Sequence, residues 1–178
     1  MNVEQAIVKS HEQISDEYRM LSFESPSIAS AAKPGQFVHL RIPRLKEAVL
    51  RRPFSIFKAE NFLISILYKV VGTGTRAMQA IAPGEDLSLI GPIGNGFPAD
   101  NIDTFPILVA GGYGVAPLHF LSEQLPIKGC VFIGGATDSD VLCADDFKKS
   151  GWDIHIATED GSLGEKGLVT TVLDSCLK

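Results

Sequence analysis

The sequence predicts two folded parts in series, an antiparallel β-barrel over residues 1–99 and a shortened parallel-sheet α/β unit over residues 100–178. Three observations predict this. The first hundred residues carry short apolar runs separated by turn signals, at the spacing of a closed or nearly closed barrel. After Phe97-Pro98 the apolar runs become continuous, as in strands covered on both faces. These later runs alternate with helical patterns, which implies parallel strands joined by right-handed crossovers.

Taken in order, Ala6-Ile7-Val8 begins the first strand. Tyr18 to Phe23 forms the second, with Leu21 and Phe23 on one face and Met20 and Ser22 on the other. Pro34-Gly35 marks a turn before a strand from Phe37 to Ile42. Phe54-Ser55-Ile56-Phe57 and Phe62 to Tyr68 flank the polar stretch Lys58-Ala59-Glu60-Asn61, and the pair reads as a hairpin. Thr75 to Ile81 is a short helix by the spacing of Met78 and Ile81. Asp86 to Ile90 is a further strand, ending at Gly91-Pro92. In the second part, Phe105 to Ala110 is a buried strand that leads through Gly111-Gly112-Tyr113-Gly114 into a helix from Val115 to Leu121. Val131 to Gly135 and Trp152 to Thr158 are the next strands. Asp145 to Ser150 and Gly167 to Leu177 are the next helices, the first of them stopping at Gly151. There are no internal repeats and no low-complexity tracts.

A chain of 178 residues with 45% hydrophobic content can build one large core or two small ones. The net charge of -5 argues against a nucleic-acid partner, because no basic stripe displaces counterions. The one dense basic cluster, Arg41, Arg44, Lys46, Arg51 and Arg52, reads either as a solvated loop or as a phosphate site. No stretch approaches the ~20 apolar residues of a membrane span. The first residues lack the regions of a signal peptide, so the expected location is cytoplasmic, away from membranes. Cys130, Cys143 and Cys176 are scattered, with no Cys-x-x-Cys pair. They read as reduced, packed or surface thiols, and no residue is read as a metal ligand.

The chemistry concentrates in two places. Arg52-Pro53-Phe54-Ser55 is followed by Gly72-Thr73-Gly74-Thr75 just before a predicted helix. Together they read as a flavin site. Arg52 supplies a fork for a diphosphate, where a lysine would offer only a point charge. Pro53 stiffens the strand so that Phe54 and Ser55 project in fixed directions. Phe54 offers a flat contact for the isoalloxazine, Ser55 a hydroxyl for its polar edge, and Tyr68 a second ring with a polar tip. The glycine bend lets backbone amides approach phosphate. The second place is Gly111-Gly112-Tyr113-Gly114, a strand-to-helix turn that a dinucleotide could approach. It is not a Gly-x-Gly-x-x-Gly fingerprint, and a compact turn explains it too. Gly134-Gly135 and Thr158-Glu159-Asp160-Gly161 end the next two strands, so the three turns should converge at one sheet edge. Asp138 and Asp140 could contact a ribose, but surface loop positions explain them better. His11, His39, His119 and His155 have no visible partner, and no general acid or base is nominated.

Four segments carry a family resemblance: Pro34-Gly35-Gln36-Phe37, Arg51 to Ile56, Tyr68 to Thr75, and Gly91-Pro92-Ile93-Gly94-Asn95-Gly96-Phe97. With Gly111 to Leu118 and Ala157-Thr158-Glu159-Asp160-Gly161-Ser162, the sequence resembles the ferredoxin reductase superfamily. It is most similar to the electron-transfer subunits of bacterial class 1B dihydroorotate dehydrogenases. The resemblance implies FAD held by Arg52 to Ser55, by Leu67, Tyr68 and Lys69, and by Gly74-Thr75. It implies NAD(H) at Gly111, Gly112 and Gly114, a turn between the two parts at Gly94 to Gly96, and a dihydroorotate dehydrogenase catalytic subunit as partner. The sequence departs from the full-length pattern at its end. Relatives continue with another strand and a cysteine-rich segment for a [2Fe-2S] cluster, whereas three scattered cysteines cannot supply four thiolates. No such cluster is expected in this chain, and the nicotinamide assignment is weakened. A second copy or a partner could close the sheet edge left open.

Three readings stay open on these grounds. The first is an oxidoreductase subunit passing electrons between NAD(H) and the catalytic subunit through FAD, in pyrimidine biosynthesis. The second is a free-standing NAD(P)H-flavin reductase. The third is a redox-inactive binding module.

Overall fold

The structure, a computed structural model, describes residues 2–43, 45, 50–99 and 103–177. Arg44 and Lys46 of the basic cluster lie outside the described residues. The chain divides into two compact units, Met1–Phe97 and Pro98–Lys178.

Alternating side chains build the first unit. Ala6 and Val8, Leu21 and Phe23, Val38 and Leu40, Ile64 and Ile66, and Leu87 and Leu89 are all buried. They lie on strands β1 (Asn2–Gln13), β2 (Tyr18–Glu24), β3 (Phe37–Arg41), β4 (Arg52–Glu60), β5 (Leu63–Lys69) and β6 (Asp86–Ile93). These six close into an antiparallel barrel in the order β1-β2-β5-β4-β3-β6. Closure removes the unpaired edges that an open sheet would present. The predicted barrel is borne out, with local corrections. The hairpin turn is not Lys58 to Asn61. Lys58, Ala59 and Glu60 stay in the ladder opposite Ser65, Ile64 and Leu63, and Asn61 and Phe62 alone make the turn, at φ 49° and 68°. A two-residue turn of this hand matches the strand twist, and polar composition cannot tell an outward-facing strand from a loop. Likewise β6 does not end at Gly91-Pro92, because Gly91 still pairs with Asn2 and Ile93 with Phe37.

Two short helices decorate the barrel, α1 (Pro26–Ala31) and α2 (Thr73–Met78). The sequence reading contains no α1. Its N-terminus is capped from another strand. Glu4 accepts the Ser25 hydroxyl at 2.6 Å and the N–H groups of Ser27 and Ile28 at 3.1 Å each. Locally the helix carries a Ser-Pro start at Ser25-Pro26, but Ser25 makes no side-chain cap of its own, and the capping acceptor comes from a distant strand.

The second unit is a parallel sheet in the order β10-β9-β8-β7. Its elements are β7 (Ile107–Gly111), α3 (Val115–Gln124), β8 (Cys130–Gly135), α4 (Ala144–Lys149), β9 (Asp153–Thr158), β10 (Glu165–Lys166) and α5 (Val169–Cys176). The α/β alternation is as predicted, whereas β10, only two residues long, carries no readable periodicity. One expectation fails. β7 is not covered on both faces, since Ile107 and Val109 remain 41% and 40% exposed. Helix α5 packs on β8 and β9, centred on Phe132, Ala157 and Val172, and leaves these two β7 side chains exposed. Among the described residues, no helix is long and apolar enough to cross a membrane.

Candidate flavin site

Strand β4 and helix α2 meet at the residues that the sequence singles out. A Cβ built on Gly74 would stand 3.8 Å from Arg52 Nε and 3.0 Å from Ile42 Cδ1. The bare glycine therefore lets the first turn of α2 lie against Ile42, with Arg52, 22 positions away in sequence, at ordinary contact distance. Arg52 spends Nη1 on the Leu50 carbonyl at 3.1 Å, one of a guanidinium's five N–H donors. The first amides of α2 have no partner within the helix. A cation and the first amides of a helix thus lie close together, which fits a diphosphate. Neighbouring Arg51 is differently employed. It donates to the Ser88 carbonyl at 2.6 Å and to the Ser88 hydroxyl at 2.8 Å, pinning the loop to β6.

Thr75 works inside the bend. Its hydroxyl accepts the N–H groups of Val71 at 3.0 Å and Gly72 at 3.1 Å, and donates to the Gly72 carbonyl at 3.2 Å. The side chain shapes the loop, its hydroxyl committed to the backbone of the turn.

Strand alternation splits the tetrapeptide. Arg52 pairs with Leu40 and Phe54 with Val38, so these two share a face, while Pro53 and Ser55 share the other. Pro53 and Ser55 are exposed, and Phe54 is half-buried. Behind Phe54 stands Tyr68, edge-on at 6.0 Å between centroids and 66° between planes. Tyr68 is 2% exposed, and its hydroxyl lies 3.0 Å from His11 Nε2. His11 Nδ1 is 2.9 Å from the Ile81 carbonyl. A carbonyl only accepts, so Nδ1 carries a proton and donates to it, while Nε2 and the Tyr68 hydroxyl share the second bond. Sequence reasoning missed this chain of bonds, which links positions 57 and 70 residues apart. Its effect is to hold the Tyr68 ring rigid beneath Phe54. Leu67 is buried beside it. Lys69 turns away to Glu17, 3.0 Å distant, and over the Tyr18 ring at 5.1 Å.

Burial pushes the Tyr68 pKa from 10.0 up to about 12, against a smaller opposing effect of Arg19. The folded state then keeps a proton that the unfolded state releases. Tyr68's contribution is full below pH 10 and is lost as pH rises through about 12. Cys143, pushed from 9.0 to about 12 by burial and then by Asp146, fades from a lower starting point. Denaturant melts across this alkaline window should show falling stability, and Tyr68→Phe should remove the part of the fall that starts near pH 10. An identical alkaline profile in the variant would contradict the buried, proton-holding tyrosine.

In the second unit the three predicted turns do lie side by side. Gly111 pairs with Gly134, Gly134 with Ala157, and Gly135 with Thr158. Gly112–Gly114 forms a single 3₁₀ turn, with Gly112 at φ 50°, a left-handed angle suited to glycine. A Cβ at Gly114 would meet nothing within 4 Å, so this turn faces open space. Asp140 is not a surface residue. It is 9% exposed and its Oδ2 accepts the Ala136 N–H at 3.2 Å, bracing the loop. Asp160 likewise organises its own turn, accepting the Ser162 hydroxyl at 2.6 Å and the Ser162 N–H at 2.9 Å.

Comparison with known proteins settles the family. Residues 5–97 match the oxidoreductase FAD-binding domain family. The chain is 36% identical over 181 residues to the dihydroorotate dehydrogenase B (NAD(+)) electron transfer subunit of Fusobacterium nucleatum, covering 97% of this chain and 69% of that protein. The chain belongs to the family of dihydroorotate dehydrogenase B electron transfer subunits, within the FAD-binding oxidoreductases. The family resemblance read from the sequence is thereby borne out. A second member, from Lysinibacillus sphaericus, is 40% identical over 80% of this chain and 58% of its own length. An NADH-dependent reduced ferredoxin-NADP oxidoreductase studied for flavin-based electron bifurcation superposes with a TM-score of 0.85. It shares 26% identity, over 97% of this chain and 63% of that one. A ferredoxin-NADP+ reductase from Plasmodium falciparum, at 14% identity and a TM-score of 0.80 over 99% of this chain and 80% of its own, shares the fold. The chain thus spans roughly three fifths to two thirds of these family members.

Proposed function

We propose that this chain is the flavin-bearing portion of an electron-transfer subunit that passes electrons between NAD(H) and a dihydroorotate dehydrogenase catalytic subunit. One observation carries the reading: the Arg52 guanidinium lies against the Gly74 bend on the same strand face as the Phe54 ring. Relatives at 36% identity and above, named as NAD(+)-linked electron transfer subunits, support the wider role.

In this reading residues 1–99 are the FAD domain and 100–178 the part that receives NAD(H). Arg52 and the backbone amides of Gly74 and Thr75 hold the diphosphate. Phe54, stiffened by Tyr68 and His11 behind it, gives the ring system its flat contact. Pro53 and Ser55 edge the site from the opposite strand face, while Leu67 and Lys69 flank Tyr68 and lend backbone groups. FAD, when bound, supplies the capacity to take an electron pair from a nicotinamide and release electrons onward. The chain itself contributes positioning and a positive counter-charge, with no side chain acting as acid or base. Gly111, Gly112 and Gly114 leave room for a nicotinamide dinucleotide at the carboxyl edge of the sheet. The expected setting is the cytoplasm, where the free thiols Cys130, Cys143 and Cys176 stay reduced.

The test is stopped-flow reduction by NADH, with and without a dihydroorotate dehydrogenase catalytic subunit. NADH should bleach the flavin absorbance, and the catalytic subunit should draw the electrons off. Gly114→Val, which places an isopropyl group in the open space over the turn, should slow reduction by about tenfold or more while FAD stays bound, equivalent to about 1.4 kcal/mol. Normal reduction in that variant would remove the turn from the nicotinamide site. An acceptor reduced equally fast without the catalytic subunit would favour a free-standing reductase.

A further inference from the structure

The opposite end of the α/β sheet gathers three side chains that the flavin reading leaves unused. Cys130 and Asp153 open the neighbouring strands β8 and β9 and are register partners. His155 follows two residues later on β9, so alternation places it on the same face as Asp153. Cys130 Sγ lies 3.8 Å from Asp153 Oδ2. His155 Nε2 lies 3.4 Å from the same oxygen. The three ligand atoms all fall within 4.8 Å of one another. Bonds of about 2.0–2.3 Å to a tetrahedral zinc ion would space such ligands about 3.3–3.6 Å apart. The longest side the triangle can have therefore needs to contract by roughly 1.2–1.5 Å.

The surroundings suit a metal. The His155 ring stacks on Phe132, at 4.5 Å between centroids and 11° between planes, which fixes the imidazole with Nε2 beside the carboxylate. Phe132 belongs to the core under α5, and Cys130 packs against that core. Two ligands thus sit on a rigid floor. The third, Asp153, is 72% exposed, free to adjust and open to entering ions. The site lies at the amino ends of the strands, away from the glycine turns at their carboxyl ends.

We propose that Cys130, Asp153 and His155 form a binding site for a divalent transition metal of borderline softness, Zn²⁺ foremost, with water in the fourth position. A thiolate, an imidazole and a carboxylate together suit zinc, whereas Mg²⁺ and Ca²⁺ demand oxygen donors. On binding, the Cys130 thiol gives its proton to solvent as the sulfur–metal bond forms. This inference does not depend on the flavin reading.

The experiment is titration of the chelator-treated chain with Co²⁺, followed by competition with Zn²⁺. One equivalent should bind, with d–d absorption in the red, beyond oxidised flavin, at the intensity of a four-coordinate ion, and Zn²⁺ should abolish the signal. Cys130→Ser and His155→Ala should each weaken binding about tenfold or more, while Cys143→Ser changes nothing. Asp153→Asn, at an exposed position that leaves the core intact, should also weaken it. The proposal is overturned if wild type gives no saturable signal, if Cys130→Ser or Asp153→Asn binds as tightly as wild type, or if Cys143→Ser removes the site.

Discussion

Replacing Arg52 with alanine raises the dissociation constant for FAD about 10- to 150-fold. A hydrogen bond to a charged group contributes on the order of 1.5–3 kcal/mol, and about 1.4 kcal/mol is a tenfold change. The structure sharpens the test, because Arg51 stands beside Arg52 with the same charge and a different task. Arg51 is committed to Ser88 through two bonds, whereas Arg52 faces the Gly74 bend. Arg51→Ala should therefore cost little affinity for FAD while loosening the loop. Flavin fluorescence titrations of the two variants decide the matter. Equal weakening by both would mean that general positive charge attracts the cofactor and that Arg52 holds no special place.

Tyr68→Ala destabilises the barrel by about 3–5 kcal/mol, the cost of emptying a large aromatic site in a packed core. It should also weaken FAD binding, since Phe54 loses the ring it leans on at 6.0 Å. Tyr68→Phe separates the two functions of the residue. It keeps the ring and removes only the hydroxyl that faces His11 at 3.0 Å. Losing this part-buried hydrogen bond costs about 0.5–1.5 kcal/mol, yet FAD should bind as in wild type. Chemical denaturation and flavin titration of both variants provide the measurements. Should Tyr68→Phe keep its stability and lose its flavin, the hydroxyl belongs to the ligand and the His11 pairing is incidental.

Much of this was legible before any coordinates. The barrel was readable because pairs such as Leu21 and Phe23 alternate cleanly, and both are buried. The α/β half was readable because its strands are continuous apolar runs punctuated by glycine. The Arg52 and Gly74 meeting was foreshadowed by motif order, but only the structure shows Ile42 packed against the same glycine. Other features depend on partners far along the chain. Helix α1 borrows its cap from Glu4. Tyr68 and His11 meet across the barrel, which no spacing rule encodes. Thr75 looked like a ligand group, yet its hydroxyl is consumed by the turn. Cys130 and Asp153 are 23 positions apart and become neighbours only through parallel strand register. In each case tertiary pairing, invisible to propensity and period, decides what a side chain does.

The most direct measurement is the absorption spectrum of the purified chain before and after addition of FAD, with the released cofactor weighed by mass spectrometry. The account predicts a yellow protein carrying one FAD per chain, restored to full occupancy after the flavin is stripped. A folded, colourless chain that takes up no added FAD would contradict it.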